Sequence, residues 1–305
     1  MELRDRLIAV TGASGMLGVY LCRALLAAGA RVRGVVRNPQ KAAFLQAEGV
    51  TFAKADLLDR ASLTEAFRGC DAVVANAALY SVGNLRWEDN YSANKLGTEN
   101  VYEAIGAASV KRAVHISTFG VYRWFPRPRV FDESSPVLDG ARRQGGAYRA
   151  TKQLSEALAF ELGKKHGVDV TAVRPAGIYG ARDSNLVPYI RTLMRSPLVP
   201  APRLHFPFVY AGDVANAVAG ALRNDASAGK AYLIAGRDDT VESFLEAWKA
   251  ASGSRAALLP IPLGEGFRVD TSLAARDLGF ENRSYEAGLR ETFEDDVRFR
   301  AASAP

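Results

Sequence analysis

Thirteen residues near the amino terminus constrain this chain more than any others: Arg6-Leu7-Ile8-Ala9-Val10-Thr11-Gly12-Ala13-Ser14-Gly15-Met16-Leu17-Gly18. The apolar run Leu7 to Val10 reads as a strand buried on both faces, as parallel strands usually are. Glycines follow at 12, 15 and 18, and Leu17, Leu21, Leu25 and Ala28 then recur at helical spacing. Each glycine has a task if a pyrophosphate lies across the helix N-terminus. Gly12 permits a sharp turn, Gly15 lets the backbone approach the phosphates, and Gly18 brings helix and strand close. The helix amides and dipole then face the anion. Thr11, Ser14, Met16 and Leu17 share the loop and are expected to contact the same ligand. An ordinary glycine-rich turn is the plain alternative, and the strand–turn–helix context argues for dinucleotide binding instead.

The Gly-x-x-Gly-x-x-Gly spacing resembles the short-chain dehydrogenase/reductase superfamily. The rest of the first half alternates in the manner of a parallel sheet with crossover helices. Strands are expected at 31–36, 51–55, 71–76, 112–117 and 168–173, with helices at 59–69, 87–108 and 148–166. Prolines at 188, 197, 200, 202 and 207 interrupt the segment 181–208, while a helix at 213–222 and a strand at 231–235 return to the regular pattern. Further amphipathic segments lie near 241–251 and 284–299. The expected fold is α/β, a doubly wound parallel (Rossmann) sheet with a smaller C-terminal lobe. Residues 1–180 and 209–240 would bind the cofactor, and residues 181–208 and 241–305 the substrate. Ligands of such sheets lie at the carboxyl ends of the strands.

Composition excludes several classes. Hydrophobic residues make up 48% of the 305 and charged residues 24%, ordinary values for a globular protein. No apolar run approaches the roughly 18 residues that span a bilayer, so no membrane partner is expected. The segment Met1-Glu2-Leu3-Arg4-Asp5 lacks a signal-peptide layout, which points to the cytoplasm. Cys22 and Cys70 read as small buried residues, and His115, His166 and His205 are scattered, with no metal-ligand spacing. Net charge is +6, but the arginines are dispersed and no nucleic-acid motif accompanies them. The positive balance suits an anionic cofactor or substrate.

The end of the second strand selects the nicotinamide cofactor. An acid there, about 20 residues past the glycines, binds the ribose 2′-hydroxyl of NAD. This chain has Val36 and then Arg37, and a guanidinium is built to hold a phosphate. Lys41 is near enough in sequence to add a second charge. The expectation is NADP(H) rather than NAD(H), with a solvated strand-end arginine as the alternative reading of Arg37. The family resemblance adds Asp56 and Leu57 beside the adenine, and Asn76, Ala77 and Ala78 beside the nicotinamide ribose.

Tyr148-Arg149-Ala150-Thr151-Lys152 carries the chemistry. Residues i and i+4 share a helix face, so Tyr148 and Lys152 can reach one ribose. A free phenol titrates near pH 10; three units toward neutrality require roughly 4 kcal/mol, which a close ammonium and a positive nicotinamide ring can supply. A third hydroxyl is expected after the fifth strand, in His115-Ile116-Ser117-Thr118-Phe119-Gly120-Val121-Tyr122. By resemblance to the extended branch of the superfamily it is Thr118, four residues before Tyr122, with Ser117 as fallback. Its task would be to hydrogen-bond the substrate oxygen.

Two further segments resemble that branch. Asn94-Lys95-Leu96-Gly97-Thr98 matches its Asn-x-x-Gly-Thr element, which adds Asn94 to the catalytic set. Arg174-Pro175-Ala176-Gly177-Ile178-Tyr179-Gly180 matches its Arg-Pro-x-x-x-Tyr-Gly turn, which adds Pro175, Gly177 and Ile178 to the cofactor contacts. The branch implies an epimerase/dehydratase-family enzyme, a small-molecule substrate and a homodimer. Its dehydratases carry an acid pair directly after the catalytic Thr, where Phe119 and Gly120 stand here. Its epimerases hold a diphosphate with an arginine shortly before a His-Val-x-Asp segment, where this chain has His205-Phe206-Pro207-Phe208 and only Arg203 nearby. Dihydroflavonol reductases and 3β-hydroxysteroid dehydrogenases are the more similar relatives, so hydride transfer to or from a carbonyl of an apolar substrate is expected. A nucleotide-sugar epimerase with tightly held NAD is the first alternative, and a non-catalytic NADP(H) sensor the second. Leu79-Tyr80, Trp124-Phe125 and Pro188-Tyr189 are candidates for the substrate wall. Arg123, Arg127, Arg129, Arg142 and Arg143 are candidates for a solvated face or an anion-steering lid.

Overall fold

In the computed structural model, which describes residues 1–79, 86–126 and 128–302, seven strands form one parallel sheet. They are β1 (Leu7–Thr11), β2 (Arg31–Val36), β3 (Thr51–Lys54), β4 (Ala72–Ala75), β5 (Arg112–Ile116), β6 (Asp169–Pro175) and, after three strands outside this sheet, β10 (Ala231–Ile234). Those three are β7 (Gly177–Tyr179), β8 (Leu198–Pro202) and β9 (Phe208–Tyr210), and β11 (Ala257–Ile261) follows. The sheet order is β3-β2-β1-β4-β5-β6-β10. The order reverses between β1 and β4, where the crossovers diverge to opposite faces and leave a crevice at the carboxyl ends.

Both faces of the sheet are covered, which is why its strands read as apolar runs rather than as alternating ones. Ile8, Val10, Val32, Val36, Val74 and Val114 point into one core, under the helices Met16–Ala27, Ala211–Arg223 and Val241–Ser252. Ala9, Val35, Val73, Ala75 and Ala113 point into the other, under Arg60–Phe67, Gly97–Ala107 and Gly146–His166.

The structure departs from the sequence expectations in three places. The expected helix 87–108 is interrupted: Trp87–Asn90 and Gly97–Ala107 are α-helical, and Tyr91–Leu96 between them is a π-helix. A π-bulge inserts one residue into a turn without changing the apolar period on either side, so periodicity does not reveal it. The segment 181–208 is more regular than its prolines suggest. Pro188 stands in the first turn of the helix Leu186–Leu193, where its missing N–H has no intrahelical partner to lose. Pro200 and Pro202 lie in β8, which pairs with β11 alone, so each has an open side for the absent donor. Finally, β7 and β9 pair as a small parallel ribbon, which brings the prolines' segment back beside the crevice.

Candidate active site

The crevice is a cleft of about 1120 Å³ that runs along the carboxyl ends of β1 to β6. At its floor the chain leaves β1 through Gly12, whose φ of +66° lies in the left-handed region, with Ala77 so close that a Cβ would meet its Cα at 3.0 Å. Gly18 does not line the cleft; it lies beneath, where a Cβ would stand 2.1 Å from the Gly12 carbonyl oxygen and 2.7 Å from the Ala13 Cα. Both neighbours are backbone, so the helix would have to move. We expect Gly18→Ala to lower stability by about 1–3 kcal/mol and weaken nucleotide binding about tenfold or more. Thermal denaturation and NADPH titration read both, and wild-type values for the variant would contradict the close-packing account.

Gly15 is different. A Cβ there would meet no protein atom closer than 3.4 Å, so the fold itself does not demand glycine. It is the N-cap of the helix Met16–Ala27 and provides no capping side chain, so the first amides of a 12-residue helix open on the cleft. Bare amides beside a side-chain-free surface fit a pyrophosphate. Ser14, Met16 and Leu17 complete this wall. Thr11 borders it too, but its buried hydroxyl is engaged with the backbone amides of Asn76 and Ala77, both at 2.9 Å. Asn76, Ala77 and Ala78 are thereby latched to β1, with the Asn76 side-chain amide donating to the Thr11 carbonyl at 3.2 Å.

Arg37, at the end of β2, is exposed and lines the cleft, as do Asp56 and Leu57 after β3. Among the described residues Arg37 makes no ion pair. Asp56 caps its own loop, accepting from the Leu58 amide at 2.9 Å. Lys41, expected as a second charge, sits on the exposed turn Pro39–Ala42 and does not line the cleft. Asn38 caps that turn by accepting from Gln40 N at 3.0 Å.

Tyr148 and Lys152 both face the cleft from the helix Gly146–His166. Gly145 and Gly146, both left-handed at φ of 75° and 84°, start that helix abruptly. Lys152 is 3% exposed, and its ammonium donates to the Ile116 carbonyl at 2.6 Å. Burial brings its pKa down to about 8, against the opposing pull of Glu156. Thr118 and Ser117 also border the cleft. The Thr118 hydroxyl accepts from the Gly120 amide at 3.1 Å and so caps the turn Phe119–Val121, whereas the buried Ser117 hydroxyl has no partner among the described residues. Pro175, Gly177 and Ile178 close the far side.

Asn94 is not on the cleft wall. It is 1% exposed, accepts from the Leu79 amide at 2.8 Å and donates to the Thr151 hydroxyl at 3.2 Å. It lies in the π-helix Tyr91–Leu96 and holds the loop after β4 against the helix of Tyr148.

Several supporting groups have partners that sequence reading does not reveal. Arg149 donates to the carbonyls of Gly120 and Tyr122, each at 2.7 Å, and stacks 3.7 Å over the Trp124 ring. Beneath the site, Arg174 grips Glu156 at 2.9 and 2.5 Å and donates to the Tyr122 hydroxyl at 3.0 Å. Buried His115 shares a 3.2 Å hydrogen bond with Ser155, which meets Thr98 at 2.7 Å. Burial and the Lys152 charge hold His115 well below its ordinary range, hence neutral.

Large apolar side chains line part of the cleft, Phe119, Trp124, Phe206, Phe208, Leu186 and Leu79, with Asp183, Ser184 and Asn185 also on its wall. This corrects the expected substrate wall. Leu79 and Trp124 belong to it, but Phe125 is 74% exposed, Tyr189 67%, and neither they nor Pro188 border the cleft. Tyr80 and Arg127 lie outside the described residues. Phe206 and Phe208 flank the proline between them and turn back together, ring centroids 4.6 Å apart. Arg142 pairs with Asp139 at 3.2 Å and Arg143 stacks on Trp87 at 4.2 Å, so both are surface residues outside the cleft. Arg203 is engaged with Glu242 at 2.7 Å, also outside it.

Comparison with known proteins agrees with this geometry. Residues 8–235 match the model of the NAD dependent epimerase/dehydratase family. The chain belongs to that family, within the extended short-chain dehydrogenases/reductases, and is an NAD(P)-dependent oxidoreductase of that type. It is 32% identical over 262 residues to sterol demethylase protein B of Methylococcus capsulatus, covering 83% of this chain and 76% of that protein. It is 34% identical over 192 residues to cinnamoyl-CoA reductase 1 of Petunia hybrida, covering 59% of this chain and 56% of the relative, so this match spans little more than half of the relative's length. The UDP-glucose-4-epimerase structure from Stenotrophomonas maltophila superposes with a TM-score of 0.83 at 22% identity, over 98% of this chain and 100% of that one, a likeness of fold. Among the described residues no helix is long and apolar enough to cross a membrane.

Proposed function

We propose that the protein transfers a hydride between NADP(H) and a carbonyl or hydroxyl of a small apolar substrate. When bound, the nicotinamide supplies or takes the hydride. Tyr148 gives the substrate oxygen its proton, or removes it in the reverse direction. Lys152 holds the ribose and favours the phenolate by its charge. Thr118, with Ser117 behind it, hydrogen-bonds the substrate oxygen. Asn94 acts through Thr151 as a positioning residue rather than touching substrate.

One observation carries the reading: the aromatic and aliphatic side chains Phe119, Trp124, Phe206, Phe208 and Leu186 line the cleft with Tyr148, and the arginine nearest the sequence position of the epimerases' diphosphate ligand does not. Arg203 stands outside it, committed to Glu242. Phe119 and Gly120 offer no proton for an elimination. Relatives named as reductases support the same class, among them a 2-alkyl-3-oxoalkanoate reductase of Shewanella oneidensis, 31% identical over 195 residues. With this reading go a cofactor unit of residues 1–180 and 209–240, a substrate lobe of 181–208 and 241–305, a homodimer and a cytoplasmic setting.

Arg37 supports NADP(H), since no acid stands at its place on the strand. NADPH should bind about tenfold tighter than NADH or better, and Arg37→Ala should erase the difference. Quenching of protein fluorescence by each nucleotide measures it. Equal affinities in the wild type would defeat the assignment.

A further inference from the structure

Besides Arg37 and Arg149, a third arginine lines the cleft. Arg182 follows β7 in the segment that links the sheet to the helix Leu186–Leu193, and it lines the cleft together with Arg37. Its guanidinium carbon lies 4.7 Å over the ring of Phe44. Phe44 belongs to the short helix Ala43–Ala47, directly after the turn that continues from Arg37. The Arg182 side chain therefore crosses from the substrate lobe to the wall that begins at the end of β2. We propose that Arg182 is the second guanidinium of the 2′-phosphate site of NADP(H), set on Phe44 as a platform and facing Arg37. The proposal rests on the NADP(H) reading above.

The backbone supports a built position. Arg182 has a φ of 66°, a left-handed conformation that a residue with a Cβ adopts at a cost and keeps only where its surroundings enforce it. Here they do. The Arg182 amide donates to the Asp296 carboxylate at 3.2 Å, and the preceding Ala181 amide donates to the Tyr20 hydroxyl at 2.9 Å. On the other side, Asp183 accepts from the amides of Asn185 and Val187, both at 2.8 Å. The segment is thus fixed on three elements, and the arginine it carries is aimed before any ligand arrives.

Electrostatics points the same way. Burial and the Arg23 charge both work against the Arg182 cation and lower its pKa. A partly desolvated guanidinium beside the Arg23 charge gains from a phosphate dianion. Phe44 follows Arg37 by seven residues, in the turn and short helix that leave the end of β2, the strand end that meets the adenosine ribose in such folds. That connection is the ground for assigning Arg182 to the 2′-phosphate.

The test uses 2′,5′-ADP and 5′-AMP, which differ only in that phosphate, titrated calorimetrically into the whole cofactor-free protein. Arg182→Met keeps the stem on Phe44 and removes the charge. It should weaken 2′,5′-ADP about tenfold or more and 5′-AMP less than about twofold. Arg182→Gly, which adopts the left-handed backbone without strain, should give the same pattern and guards against a folding defect. Unchanged 2′,5′-ADP affinity, or equal loss for both nucleotides, would overturn the proposal. Arg37→Met, measured in parallel, separates the two claims. If the wild type does not distinguish the nucleotides, the NADP(H) reading falls and takes this proposal with it. If the wild type distinguishes them, Arg37→Met loses the difference and Arg182→Met keeps it, only the role of Arg182 falls.

Discussion

Tyr148→Phe is expected to reduce kcat by about 10²–10⁴-fold, the usual worth of a positioned general acid, while the Kd for NADPH stays within about twofold of wild type. The substitution removes one oxygen and leaves the ring that stands on the cleft wall, so binding surface is retained and only the proton path is lost. Stopped-flow turnover on any carbonyl substrate, with fluorescence titration of NADPH alongside, separates the two. A Phe variant that keeps more than a few per cent of the wild-type rate would remove Tyr148 from the chemistry. A variant that loses NADPH binding as well would recast it as a cofactor ligand.

Lys152→Met is expected to damage both turnover and NADPH affinity, the former by about a hundredfold or more, because the ammonium serves the ribose and the tyrosine together. Its effect on stability should run the other way. Burial lowers the Lys152 pKa from 10.5 to about 8, so the folded protein disfavours the charged form. Between those two pH values the unfolded chain binds the proton more readily, so stability rises with pH across that window. Below pH 8 that cost is fully present. Methionine removes the buried charge but leaves the Ile116 carbonyl unpaired, which returns part of that cost. The cofactor-free Met variant should therefore be no less stable than wild type at pH 7, and its urea midpoint should lack the wild-type rise between pH 8 and 10. Parallel pH profiles, with the variant less stable throughout, would show that Lys152 is a structural residue.

Why the sequence displayed part of this site and concealed the rest follows from how each residue is positioned. The glycine loop is legible because its requirements are backbone requirements: Gly12 and Gly18 are glycines since any Cβ would strike Ala77 or the loop's own carbonyl. Tyr148 and Lys152 are legible because one helical turn guarantees their shared face. The seven main strands are legible since both sheet faces are buried, and the apolar runs are bounded by turns. Groups positioned through space are not. Arg182 meets Phe44 across 138 positions of sequence, and nothing local marks either residue. Phe206 and Phe208 enter the cleft only because β9 pairs with β7, a register that the intervening prolines hide. Lys41 is the converse case: near Arg37 in sequence, it stands on a tight turn capped by Asn38 and is not among the residues lining the cleft. Asn94 was found by its motif, yet its side chain ties a loop to the helix of Tyr148 and stops short of the cleft.

The central claim is net hydride transfer with exchangeable NADP(H), and the fate of the nucleotide tests it most directly. A reductase must release NADP⁺ at every turnover, whereas an epimerase regenerates its cofactor in place and gains from never letting it go. The measurement is to denature the purified, dialysed protein, assay the supernatant for nucleotide, and then run turnover with C4-deuterated NADPH. The account predicts a supernatant nearly devoid of nucleotide, one NADPH consumed per product, and deuterium on the former carbonyl carbon. Stoichiometric NAD in the supernatant, together with interconversion of UDP-sugars without added cofactor, would contradict it.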